Sequence, residues 1–141
     1  MEQGRRAVCH AFEKDGVTCA VTGYLPFGVY TIPEISMVGQ TEEELSEKGV
    51  PYESGVGYFH EVARGQIIGD SYGMLKILFH RENRTILGVH IVGELASELI
   101  HIGQAVMSFG GTVDYFKDAV FNYPTLSDAY KEAALNGINK L

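Results

Sequence analysis

The chain has 141 residues, 45% of them apolar and 21% charged, with 18 acidic against 11 basic side chains. That length suits one domain with a packed core, and the net charge of −7 would repel a phosphate backbone, since the arginine pairs Arg5–Arg6 and Arg81–Arg84 make no basic patch. No apolar run approaches the roughly 20 residues that cross a bilayer, the start lacks a secretion signal, and Cys9 and Cys19 fit neither a C-x-x-C pair nor a zinc knuckle, so the expectation is a cytoplasmic protein with reduced thiols, nucleic acid and membrane excluded as partners.

In chain order, Glu2 to Lys14 place Ala7, Val8, Ala11 and Phe12 on one helical face. This helix has no N-cap signal and no strand before it, as in a chain that starts partway through a larger architecture. Asp15 to Gly28, rich in Gly and Thr and containing Pro26, predicts a connection with at most a short strand at Val17 to Val21. The stretch GVYTIPEISMVG predicts one short strand ending at Gly39.

TEEELSEKG carries a start and a stop: Thr41 as N-cap, Glu44 as its capping-box partner, an acidic first turn, and Gly49 past the end. Tyr52 to His60 reads as a strand whose lone G-x-G is no dinucleotide loop, because the third glycine of that pattern is replaced by His60. YGMLKILFH and RTILGVHIVG flank a polar turn at Glu82 and Asn83 and predict an antiparallel hairpin whose second strand is covered on both faces.

From Glu94, the residues Leu95, Leu99, Ile102, Val106 and Phe109 recur at helical spacing up to Gly110 and Gly111. That stripe has two readings, core or two-fold contact, and a single apolar face at this spacing usually packs inward. A short helix follows from Val113 to Asp118. The last helix starts after Pro124, with Thr125 as N-cap and Asp128 at the capping-box position, and runs to Asn136 or Gly137. Strands first and helices last predict an α+β fold, an antiparallel sheet with helices packed on it.

For chemistry, Glu94, Glu98 and His101 share one flank of the long helix, either as metal ligands or as a hydrated polar face, and no second helix offers a matching E-x-x-H. His60, His80 and His90 read as satisfied structural histidines on strands. No phosphate loop, G-x-S-x-G elbow or Cys with a base is present, so no catalytic residue and no metal site is assigned.

The segments YTIPEISMVGQTEEEL, LKILFHRENRTILGVHIVGELASELIHIGQA and FNYPTLSDAYKEAALNGINKL together resemble the C-terminal dimerisation domain of the FAD-dependent pyridine nucleotide-disulfide oxidoreductases, over Tyr24 to Leu141. Disulfide reductases of that family carry His-Pro-Thr with a Glu three residues after the Thr, and that His–Glu dyad relays protons for redox cysteines. Here those places hold Tyr123, Pro124, Thr125 and Asp128. A phenol, with an ordinary pKa of about 10, is a poor proton carrier near neutrality, and Asp128 reads as a charge at a helix N-terminus. FNYPT and AALNGINKL are most similar to the transhydrogenase branch, which passes hydride between NADPH and NAD through FAD without a thiol pair.

The resemblance implies the following division. Residues 1–23 would be the last helix of an upstream FAD-binding domain plus linker, and 24–141 the interface domain. Tyr123, Pro124 and Thr125 would lie near the partner subunit's flavin, and Tyr115, Phe116, Tyr123, Pro124, Asp128 and Tyr130 in the homodimer interface. The chain would be a fragment of a parent containing FAD- and NAD-binding domains, and alone it would bind no flavin and turn over no substrate. The rivals are the equivalent domain of a dihydrolipoamide dehydrogenase-like reductase and a self-contained metal- or ligand-binding module.

Overall fold

The computed structural model describes residues 2–12 and 23–141. Helix α1 (Glu2–Ala11) matches the predicted first helix, but its apolar face is not packed, with Val8 and Phe12 both exposed. Half-buried Cys9 is a free thiol. The strand expected at Val17 to Val21, Cys19, and the last residues of the expected helix lie outside the described residues.

GVYTIPEISMVG forms two strands, not one. β1 (Phe27–Val29) and β2 (Glu34–Gly39) pair antiparallel, and the chain turns between them at the cis Ile32–Pro33 bond. The reversal falls inside a run that reads as continuous, because Tyr30, Thr31 and Ile32 are all compatible with strand. Helix α2 (Glu42–Glu47) follows with the capping box in place: Glu44 N–H donates to Thr41 Oγ1 (3.2 Å) and Thr41 N–H to Glu44 Oε2 (3.1 Å).

β3 (Tyr52–Tyr58) ends in a single 3₁₀ turn, Phe59–Glu61, so His60 is on that turn, and α3 (Ala63–Ile68) comes after it. α3 lacks a side-chain cap and depends on a tertiary fit: a Cβ on Gly65 would collide with the Phe59 carbonyl. β4 (Met74–His80) and β5 (Ile86–Gly93) form the predicted hairpin. The sheet order is β1-β2-β5-β4-β3, antiparallel throughout, which puts β5 at the centre.

One sheet face carries the core. Val38, Val89, Ile77 and Leu75 pack there beneath α4 (Ala96–Ser108), α5 (Val113–Asp118) and α6 (Asp128–Ile138). The buried side of α4 is Ala96, Leu99, Ile100, Gly103 and Met107. Of the predicted stripe, Leu99 is buried, Ile102 and Val106 are half-buried against the core, and Leu95 and Phe109 are exposed. The opposite sheet face is partly covered by α2, whose Leu45 is fully buried, as is Leu78 on β4, and both lie outside the main core.

The hairpin tip is fastened to α5. Arg84, at φ 61°, pairs with Asp114 through Nη1 and Oδ1 at 2.8 Å, and Val113 N–H donates to the Arg84 carbonyl. Hydrogen bonds and ion pairs from Lys117 and Arg84 hold the Asp114 carboxyl below the usual carboxylate range against the opposing effect of burial.

α6 lies directly on β3, backbone against backbone. Ala129, Ala133 and Gly137 form a small-residue row one helical repeat apart, laid on Gly55 and Gly57 of β3. A Cβ on Gly57 would meet the Ala129 carbonyl, and one on Gly55 the Ala133 carbonyl. Asn136 Oδ1 accepts from Val56 N–H (3.1 Å) and Lys140 Nζ, two residues past the end of α6, donates to the Ser54 carbonyl (2.8 Å), so the C-terminal segment also satisfies part of the outer edge of β3.

Tyr130 joins α6 to α4. Fully buried, its hydroxyl donates to the Leu99 carbonyl (2.8 Å) and accepts from Gly103 N–H (3.1 Å), while its ring packs against Phe116, tilted by 30°, at a centroid distance of 4.5 Å. Burial drives the phenol pKa far upward, so the group stays protonated and donating.

Two substitutions test this packing. Gly57→Ala is expected to lower unfolding stability by roughly 1–3 kcal/mol or more in urea melts, because backbone on both sides cannot give way, whereas Gly4→Ala, whose Cβ meets nothing within 4 Å, should not. Tyr130→Phe removes a buried hydroxyl that bridges the Leu99 carbonyl and the Gly103 N–H, groups four residues apart on α4 that can pair with each other, and should cost about 0.5–1.5 kcal/mol with the circular dichroism spectrum unchanged.

Candidate functional site

The Tyr-Pro-Thr turn links α5 to α6 and is anchored on both sides. Upstream, α5 buries Val113 and Phe116; downstream, Leu126, Ala129 and Tyr130 are buried. Between these anchors the Tyr123–Pro124 peptide is cis, and Tyr123 stands 78% exposed at the tip. An aromatic residue this accessible on so firmly held a turn contributes little to the fold and is free to meet another surface.

Thr125 does not cap α6. The N-cap is Ser127, without a side-chain cap bond, since the residues Leu126 and Ser127 form a further turn before the helix. Thr125 Oγ1 and Asp128 Oδ2 are both buried atoms without a hydrogen-bond partner among the described residues. Asp128 is the first residue of α6, consistent with a charge at a helix N-terminus.

Two hollows flank the turn. One, of about 240 Å³, is lined by Glu61, Val62, Ala63, Tyr123, Asp128 and Lys131 together with Glu132. The other, of about 380 Å³, lies between α3, the start of α4 and the turn, and Ile68, Leu95, Leu99 and Leu126 supply its apolar wall. Leu95 is unusual there. It precedes α4 with φ 59° and ψ 23°, the left-handed region that disfavours a leucine, and its side chain is 47% exposed.

Of the aromatic residues expected at an interface, Tyr115 and Tyr123 are exposed. Phe116 and Tyr130 are not: both are fully buried inside the chain, packed against each other at a tilt, so neither side chain is presented at the surface. Pro124, Thr125 and Asp128 are half-buried around the turn. Leu95, expected in core or contact, and Ile68, which the sequence did not single out, extend the exposed apolar surface beside Thr125. A leucine where a left-handed N-cap favours glycine or asparagine leaves no sequence signal, because the conformation is known only from the fold.

Glu94, Glu98 and His101 are all exposed, and His101 Nδ1 is 2.8 Å from Gln104 Oε1. No group of three or more His, Cys, Asp or Glu side chains is placed to hold a metal among the described residues. Nor, among them, is any helix long and apolar enough to cross a membrane. His80 Nδ1 accepts from Glu82 N–H (3.2 Å), and His60 stacks on Tyr58. His90 departs from the expectation of a satisfied histidine, for its Nδ1 is buried without a hydrogen-bond partner among the described residues.

Comparison with known proteins places this geometry. The chain is 57% identical over all 141 residues to a soluble pyridine nucleotide transhydrogenase of Mycobacterium bovis, spanning 30% of that protein. It is 52% identical to one of Pectobacterium carotovorum, covering 99% of this chain and 95% of that sequence. Among solved structures, LpdA from Mycobacterium tuberculosis superposes with a TM-score of 0.81 at 28% identity, over 94% of this chain and 29% of that one. The HOCl-induced flavoprotein disulfide reductase RclA of Escherichia coli, as its Cu(II) complex, has a TM-score of 0.83 at 23% identity over 94% of this chain and 30% of that one, a likeness of fold. The profile of the pyridine nucleotide-disulphide oxidoreductase dimerisation domain matches residues 25–134, and the chain belongs to that family.

Proposed function

We propose that the chain is the dimerisation unit of a longer FAD-dependent enzyme that moves hydride between NADPH and NAD. Residues 24–141 form the interface unit, and 1–23 the end of an FAD-binding domain with its linker. The observation that carries this reading is the 57% identity over the whole chain to a soluble pyridine nucleotide transhydrogenase, with a tyrosine at the tip of the turn. The chain spans about 30% of the length of that relative, so the nucleotide-binding parts belong to the remainder of such a protein.

In this reading two subunits complete one flavin site. Tyr123 and Pro124 offer a planar ring and a rigid one at an exposed tip, a surface suited to walling a flat heterocycle, with Thr125 behind them. Bound FAD would accept and return the hydride. The residues of this chain exclude water and shape the pocket, and none relays a proton: a phenol titrates about three units above neutrality. The likeness to LpdA favours a disulfide reductase as the second reading. Such a reductase needs an imidazole where this chain has Tyr123.

The second copy would meet the surface around Leu95, Ile68, Tyr115 and Tyr123, where apolar side chains are exposed beside two unpartnered polar atoms, Thr125 Oγ1 and Asp128 Oδ2. Sedimentation equilibrium should therefore find a dimer, with Leu95→Asp raising its dissociation constant at least about tenfold, or about 1.4 kcal/mol. A monomer at high concentration that binds no apolar dye would refute the interface. The purified chain is also expected to be colourless and to retain no added FAD on gel filtration; a yellow protein with equimolar FAD would show a nucleotide site within these residues.

A further inference from the structure

We propose that His90 is an acid-labile lock between helix α2 and the open face of the sheet. The strand register sets its surroundings. His90 on β5 lies opposite Met37 of β2 and Lys76 of β4, so the three side chains share the sheet face away from the main core. α2 covers the neighbouring part of that face, and Lys76 Nζ pairs with Glu42 Oε1 of α2 at 2.6 Å.

Within this seam the imidazole is half-buried, and its Nδ1 is buried with no hydrogen-bond partner among the described residues. Its ring borders Gly88, where an added Cβ would collide with the Gln40 carbonyl and come within 3.2 Å of His90 Cε1. A neutral ring suits such a place. A charged ring does not, because it would bring a second positive charge beside Lys76 with little water to solvate it.

The charges facing His90 come from two elements. Lys76 on β4 opposes protonation, while Glu42, Glu43 and Glu44 on α2 favour it. Burial is the largest effect, and the balance holds the imidazole pKa below its ordinary value of 6.5. With the folded value depressed, the unfolded chain, or a chain with α2 lifted, binds the proton more tightly. The stabilising contribution is therefore complete above pH 6.5 and is lost as pH falls from there towards the folded pKa. The imidazole takes its proton from solvent, and Glu42 is the carboxylate for which the imidazolium and Lys76 then compete. Loosening follows at α2 and at the adjoining end of the sheet, where Gln40 N–H bonds the Leu87 carbonyl.

Nuclear magnetic resonance of the His90 ring protons across a pH titration tests the lock directly. The midpoint should lie below 6.5, rise in Lys76→Gln and fall in Glu42→Gln. Protection of the Leu45 and Lys48 amides, which close α2 through Thr41 and Glu44 carbonyls, should drop between about pH 7 and about pH 5 in the native chain, and by clearly less in His90→Gln. A midpoint at or above the ordinary value, no response to Lys76→Gln, or an equal loss of protection in His90→Gln would overturn the proposal. Should His90→Gln fail to fold, the ring titration in the native chain and the two charge variants decides alone.

Discussion

The rest of the domain depends on how closely α6 approaches β3. Three glycines and two alanines, Gly55, Gly57, Gly137, Ala129 and Ala133, bring helix backbone against strand backbone with no side chain between them. Because interiors are packed near crystalline density, a contact of this kind tolerates almost no added volume. It fixes the height and tilt of α6, and through Tyr130 it fixes α4 as well. The Tyr-Pro-Thr turn then has little freedom, since it connects an anchored α5 to the first residue of an anchored helix.

This arrangement separates structural from presented aromatics. Phe116 and Tyr130 form a tilted ring pair in the core, and Tyr115 and Tyr123, each seven or fewer residues away in sequence, face outward. The domain supplies a rigid exposed edge with Tyr123 at its tip. For a dimerisation-domain family, a firmly held and accessible edge is a natural surface to present.

How much of this is legible in the sequence depends on how local each determinant is. Helix α2 is written within nine residues, Thr41 to Gly49, and its caps formed as predicted. The β4–β5 hairpin and α5 are equally local. The β1–β2 reversal was missed although Pro33, at the cis bond, interrupts the run and is its local signal, and α3 was missed because it depends on Gly65 lying under Phe59. On α4, the spacing gave the helix but the wrong centre for its buried face: Leu95 and Phe109 fit the period yet flank the helix, while the small residues Ala96 and Gly103 mark the true contact. Thr125 reads as a cap because a Thr three residues before an Asp matches the motif, and the intervening turn at Leu126 and Ser127 displaces it. The turn motif itself was readable by resemblance, but which aromatics surround it in the core was not, since that sorting is tertiary.

Leu95 carries a consequence for how such a domain changes over time. Its left-handed backbone would relax with glycine or asparagine, so any drift that rewards a more durable monomer favours losing the leucine. Loss of the exposed isobutyl group would at the same moment thin the apolar rim beside the turn. At this one position, backbone ease within the single subunit and the breadth of its exposed apolar rim pull apart.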